Sequence, residues 1–336
     1  MTGPGVAGAT GPWLPTAPCT PQACVARPAH RVGPARQLLR ALAALAVLLT
    51  GVALAPVGRR LPAGPRERVI RLFGRALLAA FGIRLRVHRM APLGDPRAGT
   101  GTLLVANHTS WLDILLVLAV RPGRMLAKTE VGHWPLLGPL VARAGTVFLD
   151  RERLHALPGT VDRVRAALGR GERVVVFPEG STWCGRAVGR FRPAFFQAAV
   201  DSGAVVQPLA LRYRTSDGTP TSAAAFVGDD GLVSSLRRVL AARGLVVEAV
   251  FAPPLTAGPH AGRRELARAA QAAVELAATA ARPVPGRRGG VSAPAPAPVC
   301  CAVPAVPRPR GAKSSAVAGR SASPGEPPVP ATAGPR

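Results

Sequence analysis

A histidine and an aspartate stand five residues apart in the stretch "VANHTSWLDI", where one apolar run stops at Asn107 and another begins at Leu112. In a regular helix, five residues turn roughly 140° past a full revolution, so His108 and Asp113 would not converge. They meet if His108 lies in the turn before a helix and Asp113 in its first turns. Thr109 or Ser110 then caps the helix, and Leu112–Leu118 continues it. An imidazole there accepts a proton near neutral pH, and a carboxylate on its other nitrogen fixes the tautomer and stabilises the imidazolium. Such a pair is a base with its orienting acid and carries no nucleophile of its own. A hydroxyl on the substrate would fill that role. A capping aspartate beside a satisfied histidine is the bland alternative.

Two further segments end apolar runs in polar groups. "VVVFPEGST", Val174–Thr182, reads as a buried strand that breaks at Pro178 and turns at Gly180. Glu179 is expected as a carboxylate on the rim of a site at the strand's carboxyl end, suited to accept hydrogen bonds from a polyol. A solvated loop acid is its alternative. No G-x-S-x-G surrounds Ser181, which argues against a hydrolase nucleophile. "AGTVFLDR", Ala144–Arg151, ends in Asp150-Arg151, and an arginine at a strand end can fork a phosphate. A surface ion pair is the alternative there.

The elements that must position these residues alternate. Strand-like runs fall at Thr102–Ala106, Arg124–Ala127, Thr146–Leu149, Arg173–Phe177, Val205–Tyr213 and Leu245–Phe251. Helix-like stretches fall at Trp111–Val120, Val131–Arg143, Val161–Leu168, Pro193–Asp201, Leu232–Ala242 and Arg263–Ala281. The alternation predicts an α/β fold, a mainly parallel sheet flanked by helices, over residues 84–282. Residues 1–35 read as a disordered leader and 283–336 as a disordered Pro/Ala-rich tail.

Between leader and domain, residues 36–83 read as membrane-associated helices. Leu38–Val57 is apolar apart from Arg40 and Thr50, close to the roughly 20 residues a spanning helix needs. A helix in one leaflet is a second reading. A signal peptide with Ala53-Leu54-Ala55 as its cleavage site is a third, weakened by the long leader. Arg66–Ile83 follows as a basic amphipathic helix, suited to the core or to a membrane interface.

In this order the segments resemble the glycerolipid acyltransferase family, whose best-known member is 1-acylglycerol-3-phosphate acyltransferase. The matching residues are Asn107-His108-x4-Asp113, Gly145 to Arg151, Phe177-Pro178-Glu179-Gly180 and Val206-Gln207-Pro208-Leu209-Ala210. "AKTEVGHWPLLGPL", Ala127–Leu140, resembles a further family block. The resemblance covers about residues 66–255. It implies transfer of an acyl group from acyl-CoA or acyl carrier protein to a lysolipid hydroxyl. It implies His108 as base and Asp113 as its partner. Arg151 and Glu179, with Asn107, Gly180 and Ser181 from the same blocks, would bind the acceptor. Neither a cofactor nor a metal is implied, since a thioester leaves as a good thiolate. One departure stands out: where phosphatidate-forming enzymes continue with Thr-Arg-Ser, this chain has Ser181-Thr182-Trp183. The stretch from Phe177 to Ala199 looks closer to lyso-ornithine-lipid acyltransferases. A lipid-surface binding protein with idle machinery and a thioester or ester hydrolase are the competing classes.

Composition fits this reading. The net charge is +26, almost all of it arginine, as Lys128 and Lys313 are the only lysines. That excess travels with abundant Ala, Gly and Pro, so compositional bias explains much of it. An anionic membrane surface is the functional reading. Nucleic acid is disfavoured, because aromatics are 4% and neither a zinc-finger nor an RNP pattern occurs. The five cysteines (Cys19, Cys24, Cys184, Cys300 and Cys301) form no CxxC pair and lie near no suitable histidines, so no zinc site is expected, and reduced thiols of low structural weight are expected in a cytoplasmic setting.

Overall fold

The computed structural model describes residues 16–28, 30–93, 100–129, 146–149, 154–256 and 262–279. Seven strands form one sheet in the order β1-β7-β6-β2-β5-β3-β4. They are β1 (Arg84–Arg89), β2 (Thr102–Ala106), β3 (Arg124–Lys128), β4 (Val147–Leu149), β5 (Arg173–Val176), β6 (Val205–Arg214) and β7 (Val246–Phe251). Every neighbouring pair is parallel except β6 with β7, where Arg212 lies opposite Glu248. The predicted mainly parallel α/β sheet is therefore the one observed. The edge strand β1 has no counterpart among the predicted strands. Its sequence RLRVHR is largely exposed, so no continuous apolar run marks it.

The central strand β2 explains the two-layered core. All five of its residues are buried. Leu104 and Ala106 pack on one face of the sheet with Leu112, Leu116 and Val117, and Leu103 and Val105 pack on the other with Val164, Val174 and Phe196. Side chains alternate along a strand, and a parallel strand covered on both faces reads as a continuous apolar run. The helices that cover the sheet are α4 (Leu112–Val120), α5 (Leu157–Gly169), α6 (Ala194–Ser202), α7 (Leu232–Ala241) and α8 (Arg263–Thr279). Before them come the single turn α1 (Pro21–Cys24) and the helices α2 (Pro34–Arg60) and α3 (Ala63–Ala80). The predicted helix over Val131–Arg143 lies outside the described residues.

Residues 16–28 and 30–35 correct the expectation of a disordered leader. Cys19, Cys24 and Val32 are buried, the Val32 N–H donates to Ala241 O at 2.9 Å, and the Arg243 N–H donates to His30 O at 2.9 Å. A composition of Gly, Pro and Thr conceals this, because the segment is held by partners some 200 residues away. Its next link is Arg40 on α2, whose buried guanidinium donates to Leu240 O and Ala242 O at 2.7 Å each, satisfying the last carbonyls of α7. The helix α3 returns to the domain. Gly74 crosses α4 so closely that a Cβ there would lie 2.7 Å from the Ala119 nitrogen, and the Arg84 N–H donates to Leu245 O. The hairpin α2–α3 thus begins and ends against the same body. Along its length Leu38, Leu39, Leu42, Leu45, Leu49 and Leu54 are exposed. Its stretch Pro34–Gly58 is the only one long and apolar enough to cross a membrane among the described residues.

Candidate active site

The carboxyl ends of β2 and β5 are neighbours in the sheet, with Val105 opposite Val176. Each strand runs straight into a turn that carries a predicted site residue. After Ala106, Asn107 to Trp111 form a bend before α4. Asp113 is the second residue of that helix and is fully buried. Its Oδ2 lies 2.9 Å from His108 Nδ1. The same oxygen accepts the Thr109 N–H at 2.6 Å and the Ser110 N–H at 2.8 Å, both from the turn that precedes the helix. So one carboxylate both ties the turn before α4 and orients the imidazole. It does not cap the helix: among the described residues the only side-chain contact to its first N–H groups is the Ser110 hydroxyl, which accepts the Leu112 N–H at 3.3 Å.

A carboxylate only accepts, so Nδ1 carries the hydrogen, and in the neutral ring Nε2 then holds the lone pair. The His108 ring stacks on Phe177, with ring centroids 4.2 Å apart and planes at 17°. Its side chain is 19% exposed while that of Asp113 is 0% exposed, so the carboxylate is sheltered and the imidazole reaches solvent.

Tyr213, the chain's only tyrosine, completes the set. Its hydroxyl donates to Asp113 Oδ1 at 2.5 Å from within β6. Burial, then the adjacent Asp113 charge, push the Tyr213 phenol well above its usual range, so it stays a donor. Sequence reasoning missed this role, since the pair is separated by 100 residues. A lone polar-tipped aromatic in a buried strand was the signal on offer, because a buried tyrosine hydroxyl needs a partner.

Glu179 differs from the rim carboxylate expected of it. It is 3% exposed. Its Oε2 accepts the His108 N–H and its Oε1 accepts the Gly189 N–H, both at 2.7 Å. The turn at Pro178 and Gly180 aims it inward: Gly180 has φ +77° and its N–H closes onto Phe177 O. Burial pushes the Glu179 carboxyl well above its usual range, and the two backbone hydrogen bonds pull it back. The side chain thereby ties the His108 turn to the loop at Gly189. That loop fits because Gly189 has no side chain: a Cβ would lie 2.2 Å from Trp183 Nε1. The Trp183 N–H in turn donates to His108 O at 2.8 Å.

Asn107 is also turned inward. Its Nδ2 donates to Leu211 O at 3.0 Å and its Oδ1 accepts the Leu211 N–H at 2.8 Å, clasping β6. Ser181 is half-buried at the turn after Gly180. Arg151 and Asp150 lie outside the described residues. His108, Asp113, Asn107, Glu179, Gly180 and Ser181 are thus gathered on adjoining turns at one end of the sheet.

An imidazole paired with a sheltered carboxylate, both presented at the strand ends of an α/β sheet, is an arrangement able to activate a hydroxyl, the chemistry of transferases and hydrolases. Comparison with known proteins makes this specific. Residues 84–212 match the family model described as Acyltransferase. The chain is 38% identical over 256 residues to a lyso-ornithine lipid O-acyltransferase of Pseudomonas aeruginosa, covering 72% of this chain and 93% of that protein. It is 39% identical over 215 residues to a 1-acyl-sn-glycerol-3-phosphate acyltransferase of Neisseria meningitidis, covering 63% of this chain and 82% of that protein. The crystal structure of the 1-acyl-sn-glycerophosphate acyltransferase PlsC from Thermotoga maritima shares the fold, with a TM-score of 0.55 at 18% identity over 73% of this chain and 95% of that one. The chain belongs to the acyltransferase family, and it is an acyltransferase.

Proposed function

We propose that this enzyme transfers a fatty acyl group from an acyl-CoA or acyl carrier protein thioester to the hydroxyl of a lysolipid. The observation that carries the reading is the 2.9 Å contact of His108 Nδ1 with the buried Asp113, which leaves Nε2 as the proton acceptor. The acceptor hydroxyl attacks the thioester carbon as Nε2 takes its proton. The C–O bond forms, the C–S bond breaks, and the thiolate leaves with that proton from the imidazolium. Asp113 stabilises the positive ring meanwhile. In this reading Glu179 and Asn107 act through the backbone of the His108 turn, while Ser181 and Arg151 meet the acceptor.

A lysophosphatidate is the first acceptor to test, with Arg151 gripping its phosphate. Lyso-ornithine lipid is the second, favoured by Ser181-Thr182-Trp183 in place of an arginine-bearing turn. The site works at the cytoplasmic face of the membrane, where both thioester donors reside. Support for membrane residence comes from the hairpin α2–α3, whose 27-residue first helix would reach about 40 Å with its leucines exposed. Because the hairpin leaves and rejoins one body, it enters the bilayer from one side. The test is to offer the purified enzyme acyl-CoA with lysophosphatidate, lyso-ornithine lipid or lysophosphatidylcholine in mixed micelles. A new diacyl lipid from one of them supports the reading, and free fatty acid from all of them replaces it with a hydrolase.

A further inference from the structure

Three cysteines that the sequence scatters come together beside the catalytic turn. Cys19 precedes and Cys24 ends the turn α1, which Thr20 caps by accepting the Ala23 N–H on its hydroxyl. Cys184 follows Trp183, the residue whose N–H holds His108 O. All three are buried, at 2%, 1% and 1% exposure. Their sulfur atoms lie within 4.8 Å of one another. The surrounding shell is apolar, made by Trp183, Ala225 and Val227.

We propose that Cys19, Cys24 and Cys184 form a structural site for a thiophilic divalent ion of the zinc class. Three thiolates about 2.3 Å from a tetrahedral zinc stand roughly 3.8 Å apart, so even sulfurs at the 4.8 Å limit each move by only about 0.6 Å to bind one. A disulfide needs sulfurs about 2.05 Å apart and would join two of the three, leaving the third in the same apolar shell. Charge selects the ion. Each thiol gives up its proton on binding. Three thiolates with a divalent ion leave one net negative charge, and with monovalent copper they leave two, which a buried apolar shell penalises more. Water completes the fourth position and adds no charge. The metal would staple residues 16–24 to the loop from Glu179 to Phe191, whose Glu179 and Trp183 hold the His108 turn. It is a positioning device and takes no part in acyl transfer.

The test uses the full chain with Cys300→Ser and Cys301→Ser, purified in detergent under reductant. Elemental analysis should find about one zinc per chain, and cobalt substitution should give a thiolate-to-cobalt charge-transfer band with tetrahedral visible bands. Adding Cys184→Ser should abolish that band and the bound zinc. Cys19→Ser alone should do the same, which guards against a single variant that fails to fold. In the parent protein, zinc removal by a chelator should lower the midpoint of thermal unfolding, and zinc return should restore it. Three outcomes overturn the proposal: no stoichiometric zinc and no cobalt–thiolate band in reduced protein; metal content unchanged when all three cysteines are serine; or a disulfide among them in protein alkylated at lysis.

Discussion

Replacing Asp113 by asparagine separates charge from geometry at this site. Four donors converge on the carboxylate: His108 Nδ1, Thr109 N–H and Ser110 N–H on Oδ2, and the Tyr213 hydroxyl on Oδ1. An amide fits this arrangement in one orientation. Its oxygen takes the Oδ2 place, held by the two backbone N–H groups, and its NH2 donates to the Tyr213 oxygen once that hydroxyl rotates. The His108 tautomer is then preserved and the fold is kept. What disappears is the negative charge opposite the imidazolium. Unit charges about 4 Å apart interact by about 4 kcal/mol at an effective dielectric of about 20. Partial exposure of His108 screens this to about 2–4 kcal/mol. Each 1.36 kcal/mol is tenfold in rate, so kcat should fall by roughly 30- to 1000-fold. Acyl transfer followed by thiol release, beside a thermal unfolding curve of the same preparation, measures both halves. A fall of less than tenfold would show that the charge is not used. Collapse of the fold would refute the argument that the amide is accommodated.

Other outcomes follow from neighbouring contacts. Tyr213→Phe removes one hydrogen bond to a charged group and should cost about 1.5–3 kcal/mol of stability in denaturant titration, with a smaller loss of kcat than Asp113→Asn; an unchanged midpoint would remove Tyr213 from the set. Glu179→Ala leaves the His108 and Gly189 N–H groups buried without their acceptor, at about 1–3 kcal/mol each, and should lower kcat while sparing the acceptor KM. A raised KM at full kcat would instead put Glu179 on the acceptor. Leu45→Glu with Leu49→Glu places negative charge on an exposed apolar face of α2 and should release the protein from anionic vesicles in a flotation assay without unfolding it; retention on vesicles would place the membrane contact elsewhere.

How far the sequence discloses all this depends on the range of each interaction. β2 and β5 are plain as apolar runs that end in His108 and Glu179, because both faces of the central sheet are covered. The His108–Asp113 pair is legible because it is local, a turn and a helix start. What the spacing does not disclose depends on long-range partners. Tyr213 reaches Asp113 from β6, Asn107 clasps Leu211, and Glu179 turns inward toward two N–H groups, one 71 residues before it. The edge strand β1 hides behind its arginines. The segment before α2 hides behind its Gly/Pro-rich composition, and its order rests on Arg40 and on α7.

The most direct test of the account is His108→Ala, assayed with acyl-CoA and the best lysolipid acceptor, with the lipid products separated and identified by mass. A positioned general base contributes about 10²–10⁴-fold. The account predicts a diacyl lipid from the parent enzyme and a loss of that order in the variant, at an unchanged thermal midpoint. Near-parental formation of diacyl lipid by His108→Ala would contradict it.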